Sequence, residues 1–123
     1  MRPIAIVIPW FGTDLKGGAE QQALQIALRL AARGHAIEVL TTCCRDFQED
    51  WSTNHFTEGV STEQGLTIRR FAVDKRDPMA FDRVNAELLS LSPADLKRGV
   101  SPLSGPEVDT FVEENINSSD LLD

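Results

Sequence analysis

The residues best placed to do chemistry lie in one stretch, Gly12-Thr13-Asp14-Leu15-Lys16-Gly17-Gly18-Ala19-Glu20, between an aliphatic run and an amphipathic segment. A turn that opens a helix points unpaired backbone N–H groups and the positive end of the helix dipole at whatever binds there. This stretch therefore predicts an anion site, most simply for phosphate. Gly17 and Gly18 can adopt positive φ and let a ligand approach the main chain with no Cβ in the way. Lys16 adds a charge. Glu20 falls in the first helical turn, where a carboxylate is stabilised by ~0.3–1 kcal/mol whatever its function, so capping and ligand contact are both open to it. Gly12, Lys16, Gly17, Gly18 and Glu20 are the candidate substrate- or phosphate-binding residues. No residue type in the stretch singles out a catalytic group.

Two common phosphate loops do not fit. Gly12 to Gly17 matches the opening of G-x-x-x-x-G-K-[ST], but Gly18 stands where the lysine is required and Ala19 where the magnesium-binding hydroxyl is required. The dinucleotide pattern G-x-G-x-x-G fails on spacing, and the next β-prone run ends in Thr41-Thr42 with no acid to hold a ribose. An NAD-linked enzyme is accordingly a minor alternative.

The elements that must position this loop are legible from periodicity. Ile4 to Ile8 is a continuous aliphatic run that reads as a strand buried on both faces. Leu24, Ala27, Leu28 and Ala31 recur at helical spacing, widened by Ala23, Ile26 and Leu30, with Gln21, Gln25, Arg29 and Arg33 as the solvent stripe. A helix is expected over 19–33, stopped by Gly34 in a left-handed turn. Ala36 to Thr41 reads as a second strand, giving a β-α-β unit with parallel strands. The segment 43–65 is polar and mixed and reads as a long loop anchored by Trp51 and Phe56. A third strand is expected over 66–73. Asp77-Pro78, Ser92-Pro93, Gly105-Pro106 and Ser118-Ser119 each open a helix. The expected class is α/β, a partial Rossmann-like parallel sheet of three strands in the order 3-2-1 with flanking helices, forming one incomplete domain over 1–123. Strand 1 would then offer an unpaired edge at Ile4 to Ile8 through which the chain could self-associate.

Composition sets the bounds. A chain of 123 residues with 41% hydrophobic content suffices for one core. The net charge of −7, with 19 acidic against 12 basic residues and no basic run, argues against nucleic acid as a partner. Ile4 to Phe11 is far short of the ~20 residues that span a bilayer and has no basic leader, so neither a transmembrane segment nor a signal peptide is expected and a cytoplasmic location is. Cys43 and Cys44 are adjacent, which suits neither an ordinary disulfide nor spaced zinc ligands. They read as semi-buried thiols in a reducing compartment, and no metal is expected. Trp10, Phe11 and His55 are a possible acceptor pocket, set against a core role for the two aromatics and a simple loop position for His55. His35 reads as structural, and Asp46, Glu49 and Asp50 as a solvated loop.

Strand 1 ending in Pro9 and an aromatic, Gly17-Gly18-Ala19-Glu20, a helix closing on Arg33-Gly34-His35, and Glu38-Val39-Leu40-Thr41 together resemble the N-terminal domain of GT-B glycosyltransferases of the retaining, glycogen-synthase-like group. Residues 4–42 carry the resemblance, and Gly65 to Phe71 suits the third strand of that family. It implies an enzyme of two Rossmann-like domains that transfers a sugar from a nucleotide-sugar donor to an acceptor, a glycan, lipid or small molecule, in the cleft between them. In that family Gly17 and Gly18 would sit near the donor diphosphate and the reacting sugar. No cofactor or metal is implied, since helix dipoles and basic side chains stabilise the departing diphosphate. Most donor contacts would come from a second domain, so this chain alone is expected to be inactive. A non-catalytic nucleotide- or phosphate-binding module built on the same corner is the alternative. The residues leave the sugar, acceptor, linkage and stereochemistry open.

Overall fold

The computed structural model describes residues 2–99 and 103–123. Its elements run β1 (Ile4–Val7), α1 (Gly18–Ala32), β2 (Ile37–Thr42), β3 (Gly59–Glu63), β4 (Leu66–Phe71), α2 (Pro78–Leu89), α3 (Pro93–Lys97), α4 (Gly105–Glu113) and α5 (Ser119–Leu122). The class is α/β, with one mixed, open sheet and flanking helices. β1 pairs with β2 and β2 with β4, both parallel.

The sheet differs from the expected three strands in the order 3-2-1. It has four, ordered β1-β2-β4-β3, because β3 adds to the far edge antiparallel to β4. This strand lies inside the segment read as a loop. All five of its residues are exposed, so it carries no apolar alternation for a sequence pattern to catch. Its signal is the turn. Gln64 and Gly65 both take positive φ, 52° and 80°, and join the opposed residues Glu63 and Leu66, as a two-residue hairpin loop requires.

One face of the sheet builds the core. Leu24 and Ala27 of α1 pack with Phe11 on Ile37, Val39, Leu66 and Ile68, flanked by Ile4 and Ile6. The helix ends as its sequence dictates, with Gly34 at φ 91° and its N–H returned to the Ala31 carbonyl. On the C-terminal side, the Asp77 side chain accepts from the Ala80 N–H at the start of α2, and Ser104 and Glu107 form a capping box on α4. A row of aromatic contacts, Trp10–Trp51 at 5.7 Å, Trp51–Phe81 at 5.1 Å and Phe81–Phe111 at 5.2 Å, fastens α2 and α4 to the loop that follows β1.

β1 is the other edge. The Ile4 N–H donates to Ala36 and the Ile8 N–H to Leu40, so the alternate amides of Ala5 and Val7 face away from the sheet. Val7 is 66% exposed, and Ile26 of α1 lies open beside the same edge. Among the described residues no helix is long and apolar enough to cross a membrane.

Candidate functional site

Because β1, β2 and β4 are parallel, their C-terminal ends converge on one rim, and that is where ligands bind in open α/β sheets. Two fastenings hold the rim. The Thr42 hydroxyl donates to the Pro9 carbonyl at 2.7 Å, tying the end of β2 to the exit of β1. Arg70, 6% exposed at the end of β4, donates from Nη2 to the Phe11 carbonyl at 2.9 Å and from Nη1 to the Thr42 carbonyl at 3.3 Å. Its guanidinium also stacks over Phe56, 3.8 Å from the ring centre. No carboxylate lies within ion-pair distance of it among the described residues, and burial pulls its pKa down from the ordinary arginine value against the opposing charges of Glu63, Cys43 and Asp14. The guanidinium therefore works as a multi-pronged donor to main-chain carbonyls, a use its rigid fork suits.

Between the glycine loop and the segment after β2 lies a cavity of about 440 Å³ lined by Asp14, Leu15, Lys16, Gly17, Glu20, Arg45, Asp46, Phe47 and Gln48. Three of the five residues expected from sequence, Lys16, Gly17 and Glu20, line it directly. Gly18 follows at the exposed first position of α1. Gly12 does not line the cavity. It is buried, and a Cβ there would press on Asp14 Oδ1 at 3.2 Å and Leu15 Cγ at 3.3 Å, so its role is close packing under the loop.

Neither Gly17 nor Gly18 uses left-handed backbone, and only Gly17 is required by close approach. Gly17, the N-cap, has φ −63° and ψ 145°, and Gly18 is absent from the positive-φ residues. A Cβ on Gly17 would lie 2.0 Å from Glu20 Oε2, so this glycine makes room for the carboxylate folded back over it. A Cβ on Gly18 would meet nothing within 4 Å. Within the chain, the Gln21 side-chain amide donates to the Leu15 carbonyl and the Gln21 N–H to the Gly17 carbonyl. Among the described residues the amides of Gly18, Ala19 and Glu20 have no such partner, as the first turn of a helix leaves them.

Glu20 is 7% exposed, and its carboxylate makes neither a hydrogen bond nor an ion pair among the described residues. It borders the cavity in the first turn of α1, where the helix dipole favours a negative charge by about 0.3–1 kcal/mol. Lys16 is exposed and likewise unpaired among these residues. Arg45 is partly engaged, with Nη1 3.2 Å from Glu49.

The possible acceptor trio does not come together. Phe11 is fully buried in the core cluster with Leu24, Val39 and Ile68 and has no face left for a ligand. Trp10 packs on Phe47 and Trp51, while His55 lies exposed against Phe56. The Trp10 Nε1 is buried without a hydrogen-bond partner. Burial raises the pKa of the Cys44 thiol, an effect that the Asp46 backbone partly opposes. Cys43 is likewise raised by burial, so both thiols stay protonated.

Sequence reasoning missed Arg45, Phe47 and Gln48 as lining residues and placed Asp46 in a solvated loop. The available signal was position, since residues just after a parallel strand flank the ligand rim. Among the described residues no group of three or more metal-ligating side chains occurs. No family model, curated protein or solved structure matches the chain.

Proposed function

We propose that the chain is the Rossmann-like, N-terminal and acceptor-side domain of a GT-B glycosyltransferase that moves a sugar from a nucleotide-sugar donor to an acceptor. One observation carries the reading: three main-chain amides, Gly18 to Glu20, with no partner among the described residues open α1 at the C-terminal rim of a parallel sheet, and a Cβ on Gly18 would meet none of those residues. Position 18 is open on its outer side among the described residues, which leaves the neighbouring amides accessible to an anion. Charge developing on a departing phosphate or on the reacting sugar would be met by these fixed dipoles and by Lys16, without reorganisation and without a metal. The second, donor-binding domain implied by the family resemblance would close the cleft from the other side.

The test is Gly18→Val in the full-length transferase, assayed for release of nucleotide diphosphate from a panel of uridine-, guanosine- and adenosine-diphosphate sugars. Transfer is expected to be lost while the circular dichroism spectrum is unchanged, and undiminished turnover would refute the assignment. Binding of the nucleotide sugars with no diphosphate release by the unaltered protein would instead identify a non-catalytic binding module.

A further inference from the structure

The free side of β1 carries two outward-facing residues whose peptide groups meet nothing among the described residues. Even-numbered positions bond to β2, with the Ile4 N–H on Ala36 and the Ile8 N–H on Leu40, so the N–H and C=O groups of Ala5 and Val7 point away from the sheet. Pro3 and Pro9 stand at the next outward positions and have no N–H, which bounds the ladder that a further strand can form here. Beside the strand runs an apolar groove of about 340 Å³, lined by Ile6, Val7 and Ile8 on one side and by Ala19, Ala23 and Ile26 of α1 on the other. Neither the strand nor the groove lining contains an ionisable side chain, in a chain whose net charge is −7.

The spacing of these groups is self-complementary. An antiparallel copy of β1 related by a two-fold axis through Ile6 sets Ala5 opposite Val7 of the copy and Val7 opposite its Ala5, and in these hydrogen-bonded pairs every outward N–H and C=O of the four residues finds a partner. The same axis sets Pro3 opposite Pro9, so no donor is stranded at either end. Moving the axis to Ala5 or to Val7 would place a proline opposite Val7 or Ala5 and leave one carbonyl in each copy without a donor. An acidic chain would attract a basic partner, but this edge has no carboxylate to receive one, whereas like-charged copies can meet along an uncharged strand. We propose that the chain forms a two-fold dimer through β1, joining two four-stranded sheets into one with the axis at Ile6. Ile6 then lies beside Ile6 of the copy as a close, non-hydrogen-bonded pair, and the exposed Ile26 of each α1 is covered across the grooves. The dimer stands apart from the transferase reading, since its groove shares no lining residue with the cavity at the glycine loop.

Sedimentation velocity of the unaltered chain over a concentration series should show a monomer–dimer equilibrium, tightened by added salt as the repulsion between the acidic copies is screened. The axis is read by cross-linking in a glutathione redox buffer. Across it the two Ile6 Cα atoms would be about 4.5 Å apart, within disulfide range, so Ile6→Cys should form a covalent dimer with itself. Ala5 and its copy, like Val7 and its copy, would be about 8 Å apart, from two residues of rise and one strand spacing, which is too far for a disulfide. Ala5→Cys and Val7→Cys should therefore each fail alone and cross-link when mixed. The unaltered chain is the control, because Cys43 and Cys44 are fully buried. Circular dichroism checks the fold of each variant, and the mixed pair carries the test should Ile6→Cys not fold. A monomer at every concentration, a dimer that none of these cysteines traps, or self-cross-linking of Ala5→Cys or Val7→Cys in preference to the mixed pair would overturn the proposal.

Discussion

Adjacent glycines that look equivalent should respond in opposite ways to the same methyl group. At Gly18 an alanine Cβ meets nothing within 4 Å, and the backbone is not left-handed. Gly18→Ala should therefore stabilise the chain by about 0.4–1 kcal/mol through the reduced entropy of the unfolded state. At Gly17 the same entropic gain is opposed twice. Alanine is a poorer N-cap than glycine by about 0.5–1 kcal/mol. The new Cβ would also lie 2.0 Å from Glu20 Oε2, which must swing off its perch. The far end of a glutamate is flexible, so the displacement costs about 0.5–1.5 kcal/mol in rotamer and lost packing and does not disrupt the backbone. Gly17→Ala should thus be destabilising by up to about 2 kcal/mol. For a chain of this length the two variants would differ in Tm by several degrees, ~3–5 °C per kcal/mol. Thermal unfolding followed by circular dichroism measures both. The decisive control is Gly17→Ala on a Glu20→Ala background, where the steric part of the penalty should vanish. A Gly17→Ala penalty that persists in full without the Glu20 side chain, or a destabilising Gly18→Ala, would refute the reasoning.

Arg70→Ala removes two charge-assisted hydrogen bonds to carbonyls, worth about 1.5–3 kcal/mol each, and recovers part of the cost of burying the cation, so a net loss of about 2–4 kcal/mol is expected in urea unfolding. Arg70→Lys, which cannot reach both carbonyls with one fork, should fall between, and a loss below about 1 kcal/mol for the alanine variant would contradict this role. Cys43 and Cys44 should resist thiol reagents in the folded chain at pH 8 and react as two thiols once it is unfolded. Because burial raises their folded pKa above the ordinary 9.0, the folded chain holds its thiol protons longer than the unfolded one, and stability should fall as pH climbs past about 9. The open amides of Ala5 and Val7 on an uncharged edge predict concentration-dependent self-association in sedimentation velocity, abolished by Val7→Lys. A strictly monomeric unaltered chain at high concentration would disprove that edge pairing.

Local signals made most elements legible. The aliphatic run of β1, the 3.6-residue stripe of α1, the left-handed stop at Gly34 and the Asp77-Pro78 cap of α2 are each decided by residues a few positions apart. So was the union of Lys16, Gly17 and Glu20 in one corner, because a strand–turn–helix sequence fixes their proximity. β3 escaped because an exposed edge strand is specified by its partner and its turn and not by hydrophobic alternation. What each site residue touches was decided only by the tertiary structure. Phe11 entered the core and His55 stayed on the surface. Arg70 became the clasp of the rim, and Arg45 crossed from another loop to face the glycines. Spacing along the chain sets secondary structure and turns, whereas burial and side-chain partnership depend on segments far apart in sequence, such as Arg70 and Phe11 at 59 residues, meeting at the end of a shared sheet.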